Sequence, residues 1–321
     1  MTAQLRGVLT ALATPFTQDG NVDEASLRAL VDRSLTGGVH GVVACGSTGE
    51  FSTLSSDERR LVVETVVDHV AGRVPVIAQT GATSTAEAIR LSRHAQSAGA
   101  DVVMAVAPYY EPLTVGETLS YLRAVAGSVD IPVMLYNLPV ATGVDLDPDT
   151  VGALAREVEN IRYIKNTTVD MAQSARLIHN YGDVISTFVG WDSLLLSALA
   201  EGAAGVMAGT ANVVPAELVA VYDAVSAGNL EQAREAWARS TRSSTRSWPS
   251  RSSRPSRRAW PGRVSPSGAP ASQWPHSTPP QRPGSRSSPR ACSRYPRPDP
   301  KAHEHSHGGI PCPSRARRRS R

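Results

Sequence analysis

Cysteine is scarce in this chain of 321 residues, which has only three, at positions 45, 292 and 312. Their spacing matches neither a disulfide framework nor a zinc-binding pattern, so we expect no metal site and no disulfide-stabilised fold. Cys45 ends the apolar run Val42-Val-Ala-Cys45, a context that is typical of a reduced thiol in the core of a protein.

Long apolar segments are also lacking. No window of the sequence approaches the roughly 18 consecutive apolar residues that a membrane span requires. The first residues do not show a basic region followed by an apolar core, which is the pattern of a signal peptide. These absences predict a cytoplasmic protein that makes no contact with a membrane.

Acidic residues are nearly absent from the C-terminal segment. The first 240 residues contain 27 of the 29 acidic residues and 15 of the 33 basic ones, which leaves 18 basic residues for the remainder. Arg, Ser and Pro dominate from about residue 240, and no Leu, Phe or Met follows Leu230. Such a segment has too little apolar surface to offset its ordering entropy, which predicts a disordered tail over residues 240–321.

The arginines of this tail would attract phosphate groups, but a second interpretation accounts for more of its composition. Arg, Ser, Pro and isolated Trp are what a GC-rich gene yields in the wrong frame, and the amphipathic segment 229–239 stops abruptly before them without a cap. We therefore predict a shift of reading frame near codon 240 and no binding of nucleic acid.

Before the tail, short β-branched runs alternate with segments of helical periodicity. Continuous apolar runs predict parallel strands that are covered on both faces. We count eight of them, near 8–13, 40–45, 74–79, 101–106, 131–136, 161–165, 184–189 and 204–208. Eight strands interleaved with helices favour a (β/α)8 barrel over residues 5–227. An open doubly wound sheet is the alternative, but a Gly-rich nucleotide-binding turn does not occur in the right context.

Lysine is rare, and its placement is informative. Lys165 is the only lysine before the tail, and it lies near the end of the sixth predicted strand, in Ile161-Arg-Tyr-Ile-Lys165. An arginine cannot replace it as an amine nucleophile, because a guanidinium stays protonated. Desolvation inside an apolar barrel favours the neutral amine that attacks a carbonyl group. Lys165 is therefore the candidate for Schiff-base chemistry.

Hydroxyl-bearing side chains follow other predicted strands, and active sites of barrels form at these carboxyl ends. Gly46-Ser-Thr-Gly-Glu50 follows the second strand, Pro108-Tyr-Tyr110 the fourth, and Tyr136-Asn-Leu-Pro139 spans the end of the fifth. The hydroxyls and backbone N–H groups of the first motif can bind a carboxylate. A tyrosine beside an imine-forming lysine is suited to relay protons.

This ordered set of motifs resembles the dihydrodipicolinate synthase / N-acetylneuraminate lyase superfamily over about residues 5–239. The resemblance implies a barrel in which Lys165 forms the Schiff base with a 2-keto acid and Tyr136 relays protons. It further implies the following roles: Thr48 joins the relay, Ser47 and Thr48 hold the substrate carboxylate, Tyr110 is lent across a dimer interface, and Gly190 and Met207 line the pocket.

Two departures from the family pattern bear on function. Ala141 stands where dihydrodipicolinate synthases carry an arginine that grips the carboxylate of aspartate semialdehyde. Loss of such a clamp costs on the order of 2–5 kcal/mol of binding, so lysine biosynthesis is disfavoured. The second departure is that only the first helix of the family's C-terminal helical domain, near 228–239, can be identified.

We accordingly predict a lyase, of aldolase or dehydratase type, that acts on pyruvate or a 2-keto-3-deoxy sugar acid without a metal or other cofactor. The resemblance implies a homodimer or homotetramer. One alternative is 4-hydroxy-tetrahydrodipicolinate synthase, with another residue replacing the missing arginine. A second alternative is an inactive barrel, or a protein that binds keto acids without turnover.

Overall fold

Eight parallel strands pair in chain order, and the eighth pairs with the first, in the computed structural model, which describes residues 5–247. The strands are β1 (Gly7–Ala11), β2 (Gly41–Ala44), β3 (Val76–Gln79), β4 (Val102–Val106), β5 (Val133–Asn137), β6 (Ile161–Asn166), β7 (Ser186–Val189) and β8 (Gly205–Ala208). This closed ring confirms the predicted (β/α)8 barrel and is incompatible with an open doubly wound sheet.

Helices connect successive strands and cover the outside of the barrel. They are α1 (Glu24–Thr36), α2 (Ser56–Val70), α3 (Thr85–Ala98), α4 (Val115–Ala126), the short α5 (Pro139–Thr142), α6 (Pro148–Glu157), α7 (Met171–Tyr181), α8 (Leu195–Ala200), α9 (Pro215–Ser226) and α10 (Leu230–Ser247). Every residue of β1 to β5 and of β8 is buried. This burial is expected when one face of a strand packs inside the barrel and the other packs against helices.

Three strands, β3, β5 and β7, begin two residues after the predicted starts, and for β3 and β5 the predicted run starts at or near a proline. The prediction placed starts near 74 and 131, whereas β3 begins at Val76 and β5 at Val133. Pro75 and Pro132 have no N–H to donate. Their carbonyls still accept hydrogen bonds from Val42 and Val103 respectively.

The motifs Ser55-Ser-Asp-Glu58 and Ser84-Thr-Ala-Glu87, each a hydroxyl followed three residues later by a carboxylate, both predict capping boxes, but the two differ in outcome. At α2 the box is complete, because Ser55 and Glu58 exchange side-chain and backbone hydrogen bonds. At α3 the Ser84 hydroxyl accepts from the N–H of Glu87, but the Glu87 carboxylate accepts from Ser56 instead of reaching back to Ser84. The prediction of a second complete box is therefore wrong, because a tertiary partner takes the carboxylate.

The closure of the ring requires glycine at the first position of β8. A Cβ atom built on Gly205 would lie 2.0 Å from the carbonyl oxygen of Gly7 and 2.7 Å from a ring carbon of Phe188. Neither backbone can retreat without breaking the β1–β8 pairing. We expect Gly205→Ala to lower the free energy of unfolding by about 3 kcal/mol, as overpacking of a rigid site does.

The matched control for that substitution is Gly116→Ala inside α4, where no atom lies within 4 Å of the added Cβ. The loss of backbone entropy by glycine should make this variant more stable by about 0.5–1 kcal/mol. Urea unfolding of both variants beside the parent protein measures the two effects. A Gly205→Ala protein as stable as the parent would contradict the tight closure.

The last described helix packs on the barrel through its small residues. Ala233, Ala236 and Ser240 of α10 are buried, and Trp237 packs against the core. The helix covers the segment predicted near 228–239 and continues to Ser247. The rest of the tail that was predicted to be disordered, from residue 248, lies outside the described residues. Among the described helices, none has the length and apolar character needed to cross a membrane.

Candidate active site

Lys165 and Tyr136 lie side by side in the interior of the barrel. They are paired in the β5–β6 register, so their side chains emerge on the same face. Lys165 is 5% exposed and Tyr136 is 4% exposed. The Lys165 Nζ atom stands 4.3 Å from the centre of the Tyr136 ring, within the range of a cation–π interaction. The amine is thus shielded from bulk water and rests on an aromatic face.

The phenol of Tyr136 connects β5 to the loop after β2. Its hydroxyl lies 3.2 Å from Ser47 Oγ, and either oxygen can be the donor. Thr48, which the resemblance linked to Tyr136, faces a different neighbour: a Cβ atom built on Gly209 would lie 3.3 Å from Thr48 Oγ1. The structure therefore joins Ser47 to the tyrosine directly, and a relay through Thr48 stays a prediction.

The ends of β7 and β8 complete the wall around the amine. A Cβ atom built on Gly190 would lie 2.8 Å from Lys165 Cε, so the backbone of this glycine lies directly against the lysine stem. Met207 is 1% exposed and is paired with Leu9 across the barrel closure. Gly190, directly after β7, thus contacts the side chain of Lys165, whereas a role of Met207 in lining the pocket stays a prediction.

Tyr110, another predicted site residue, lies on the protein surface. Its side chain is 85% exposed on the loop between β4 and α4. The preceding Tyr109 is half-buried and packs edge-on against Phe51, with ring centres 5.3 Å apart. A contribution of Tyr110 to an active site therefore depends on an assembly with another chain and stays a prediction.

Three buried polar side chains that follow β6 and β7 were missed in the sequence. Thr167 Oγ1, Trp191 Nε1 and Asp192 Oδ1 are buried and have no hydrogen-bond partner among the described residues. Thr167 follows Lys165 by two positions and Asp192 follows Gly190 by two. The alternation of strand residues points to Thr167, directly after β6, whereas Asp192 begins a 3₁₀ turn after β7 and no strand pattern points to it. Unsatisfied buried polar atoms are rare in proteins, so these atoms are candidates for contacts with a ligand.

Asp192 is the buried carboxylate of this region. Its Oδ2 accepts a hydrogen bond of 3.2 Å from the backbone N–H of Thr210 and would lie 4.0 Å from a Cβ atom built on Gly209. Burial raises the pKa of Asp192, while the Thr210 hydrogen bonds and the charge of Lys165 oppose this shift without cancelling it. An aspartate in this setting holds a proton more readily than one in water.

The raised pKa of Asp192 predicts a stability difference that depends on pH. Because the folded state holds this proton more tightly than the unfolded chain, ionised Asp192 costs stability above its folded-state pKa, and the cost disappears below the ordinary value. We expect Asp192→Asn to raise the melting temperature at pH 8, and to raise it less at pH 5. Thermal unfolding at both values measures this, and a variant that melts below the parent at pH 8 would contradict it.

The arrangement combines three chemical elements at the carboxyl ends of the strands. They are a single buried amine, a tyrosine hydroxyl in contact with a serine hydroxyl, and hydroxyl and N–H groups at the turn after β2. A buried amine is suited to attack a carbonyl, and a phenol in contact with a second hydroxyl is suited to carry protons. Hydroxyl and amide donors at a turn suit a carboxylate.

Comparison with known proteins finds related sequences over the whole barrel. The Dihydrodipicolinate synthetase family model matches residues 4–242. A 4-hydroxy-tetrahydrodipicolinate synthase of Methanopyrus kandleri is 44% identical over 233 residues, which are 72% of this chain and 78% of that protein. The enzyme of the same name from Geobacter sulfurreducens is 44% identical over 229 residues, which are 71% of this chain and 78% of that protein.

Solved structures of the same superfamily share the fold. YagE, a prophage protein of E. coli solved in complex with pyruvate, superposes with a TM-score of 0.72 at 36% identity, covering 74% of this chain and 81% of that one. CdNal of Clostridium difficile, solved in complex with mannosamine, superposes with a TM-score of 0.73 at 29% identity, covering 76% of this chain and 83% of that one.

Proposed function

The chain belongs to the dihydrodipicolinate synthetase family and is a lyase, and from that premise we propose that it acts on a 2-keto acid through an imine on Lys165. The observation that carries the proposal is the buried Nζ atom 4.3 Å from the ring centre of Tyr136. Lys165 is also the only lysine among the described residues, so no other lysine side chain in this part of the chain can supply the amine.

The proposed reaction begins with the substrate carboxylate at the turn after β2, bound by Ser47 and Thr48. The neutral amine of Lys165 adds to the keto carbon, and Tyr136, in contact with Ser47, delivers the proton that lets the carbinolamine oxygen leave as water. The resulting iminium withdraws electrons, so that a C–C or C–O bond one carbon further along can break. The positive charge of the iminium forms beside the ring face of Tyr136, and an aromatic face stabilises a cation.

The surroundings of the amine support a hydroxylated substrate. Ala141 offers no charge to a second carboxylate, and the buried polar atoms of Thr167, Trp191 and Asp192 have no partner in the described part of the chain. Hydroxyl groups on a substrate would satisfy such atoms at little cost, whereas a methylene chain would leave them unpaired. We therefore favour a 2-keto-3-deoxy sugar acid, cleaved or dehydrated beyond its keto group, with pyruvate as the minimal ligand.

The second candidate is 4-hydroxy-tetrahydrodipicolinate synthase, which condenses pyruvate with aspartate semialdehyde. The relatives at 44% identity that bear this name favour it. The absence of an arginine at position 141 weighs against it, because a desolvated carboxylate without a charged partner binds poorly. Both candidates share the imine on Lys165 and differ only in the second substrate.

Two experiments test the proposal in sequence. Incubation with pyruvate and borohydride should add one reduced pyruvate to the peptide that contains Lys165, and the absence of this adduct would exclude imine chemistry. Turnover is then measured with a panel of 2-keto-3-deoxy sugar acids and, separately, with pyruvate plus aspartate semialdehyde. Activity restricted to the semialdehyde reaction would replace the favoured function by the second candidate.

The exposed Tyr110 supports a homodimer or homotetramer as the working form. A tyrosine that is 85% exposed offers an apolar ring and a hydroxyl, a combination that is suited to burial in an interface. Sedimentation velocity of the parent protein and of Tyr110→Ser measures this. A parent protein that sediments as a monomer at micromolar concentration would contradict the proposed assembly.

A further inference from the structure

Two asparagines directly follow the reacting pair, one on each strand. Asn137 follows Tyr136 at the end of β5, and Asn166 follows Lys165 at the end of β6. They are paired with each other in the strand register and are each 1% exposed. Because side chains alternate along a strand, these amides point away from the barrel interior and towards the surrounding helices. Neither amide can touch a substrate held at Lys165.

The amide of Asn137 joins three parts of the structure. Its Nδ2 donates to Asn166 Oδ1 at 2.9 Å and to Asp145 Oδ1 at 2.9 Å. Its Oδ1 accepts from the backbone N–H of Leu146 at 3.1 Å. Both N–H bonds and the carbonyl oxygen are therefore used, and the loop between α5 and α6 is fixed to the end of β5.

Asn166 extends this network to α7. Its Nδ2 donates to Ser174 Oγ at 3.1 Å, and Gln173 Nε2 donates to Asp145 Oδ1 at 3.0 Å. We call these five side chains the amide network: Asn137, Asn166, Asp145, Gln173 and Ser174. The network links the ends of β5 and β6 to each other, to the following loop and to the start of α7.

The relative position of two strand ends sets the distance between Tyr136 and Lys165. The backbone contacts beyond this point are few: the N–H of Thr167 donates to the carbonyl of Asn137, and the N–H of Gly190 donates to the carbonyl of Asn166. Displacement of a reacting group by about 1 Å costs on the order of 10²-fold in rate. A buried hydrogen-bond network whose members satisfy one another resists such displacement more strongly than apolar packing does.

We propose that the amide network is a positioning device, which holds the Lys165 amine and the Tyr136 ring in reacting geometry from behind the strands. This proposal rests on the imine chemistry proposed above. Its members are positioning residues, because they act through Lys165 and Tyr136 and do not contact the reacting atoms. Loss of the network should therefore slow formation of the imine without weakening the binding of the keto acid, which is held at the turn after β2.

The test uses Asn166→Leu, which fills a similar volume but forms no hydrogen bond. The matched control is Asn160→Leu, next to the opposite end of β6, where the parent amide bonds to the carbonyls of Ala126 and Val129. Each full-length protein is mixed with pyruvate, quenched with borohydride at set times, and digested. Mass spectrometry of the Lys165 peptide then gives the rate of adduct formation as a function of pyruvate concentration.

In Asn166→Leu we expect the rate at saturating pyruvate to fall by about 10–100-fold, with a half-saturating concentration within about twofold of the parent value. In Asn160→Leu both quantities should stay within about twofold, although the melting temperature falls, because its lost hydrogen bonds lie far from the amine. Equal rates in Asn166→Leu and the parent would overturn the proposal. So would an equal loss of rate in Asn160→Leu.

Ser174→Ala keeps the test decisive if Asn166→Leu does not fold. This variant removes the acceptor of Asn166 Nδ2 and a long hydrogen bond of 3.5 Å to the carbonyl of Asp170. We expect it to slow adduct formation by about 3–10-fold, whereas an unchanged rate would overturn the proposal. The result for the parent protein distinguishes a failure of the proposed function from a failure of the positioning role. A parent that forms no adduct refutes the proposed function and the positioning role with it, whereas a parent that reacts beside unaffected variants refutes the positioning role alone.

Discussion

Lys165→Arg is expected to abolish the borohydride-trapped adduct with pyruvate and to reduce any turnover by about 10⁴-fold or more. Arginine has a similar unbranched aliphatic stem, so the barrel should still fold. It cannot form an imine, because its guanidinium stays protonated at all working pH values. Intact-mass analysis after borohydride treatment measures the adduct, and circular dichroism verifies that the variant is folded.

Two further lysine positions make this experiment specific. Lys301, the second lysine of the sequence, serves as an internal control, since non-specific reduction would label its peptide as well. Arg162→Lys in the Lys165→Arg background places an amine on the same strand at an exposed position. We expect no adduct at either site. A specific adduct at one of them would show that burial against Tyr136 is unnecessary.

Tyr136→Phe is expected to slow formation of the imine by about 10²-fold or more. The substitution keeps the aromatic face beneath the Lys165 Nζ atom and removes the hydroxyl that contacts Ser47. General acid–base catalysis by one positioned group contributes about 10²–10⁴-fold, so the loss should fall in this range. Timed borohydride quenching with saturating pyruvate measures the rate.

Tyr163→Phe provides the control for Tyr136→Phe. Tyr163 is a buried tyrosine on β6, two residues before Lys165, and its hydroxyl accepts from the backbone N–H of Leu5 at 3.2 Å. Its loss should cost about 1 kcal/mol of stability and leave the rate of imine formation unchanged. If both phenylalanine variants react at the parent rate, Tyr136 is not the proton relay.

Much of the fold follows from local patterns in the sequence. Continuous apolar runs located all eight strands, because parallel strands of a barrel are buried on both faces. The ends were less predictable: Pro75 and Pro132 fit within apolar runs but cannot donate to the sheet, so the strands start one residue after them. The carboxylate of Glu87 was also unpredictable, because its choice of Ser56 over Ser84 depends on how α2 and α3 pack.

The sequence predicts which residues form the candidate site, but it does not predict which of their side chains are in contact. The rarity of lysine and the strand ends pointed to Lys165 and Tyr136 from the sequence. The contact of Tyr136 with Ser47, 89 positions away, depends on barrel closure and on side-chain rotamers that no local pattern encodes. Thr167 could have been found by counting two positions beyond Lys165, since alternate residues of a strand share a face. Asp192 could not, because it begins a 3₁₀ turn after the end of β7.

The pairing of β1 with β8 has a consequence for folding during synthesis on the ribosome. The first strand must wait for a partner some 200 residues downstream, which corresponds to roughly 10–40 s at ordinary rates of translation. During that interval an unfinished sheet presents open edges to chaperones and to other nascent chains. Premature termination before residue 205 would leave these edges unpaired permanently. Changes to the chain after Ser247 leave all eight strands of the barrel in the sequence.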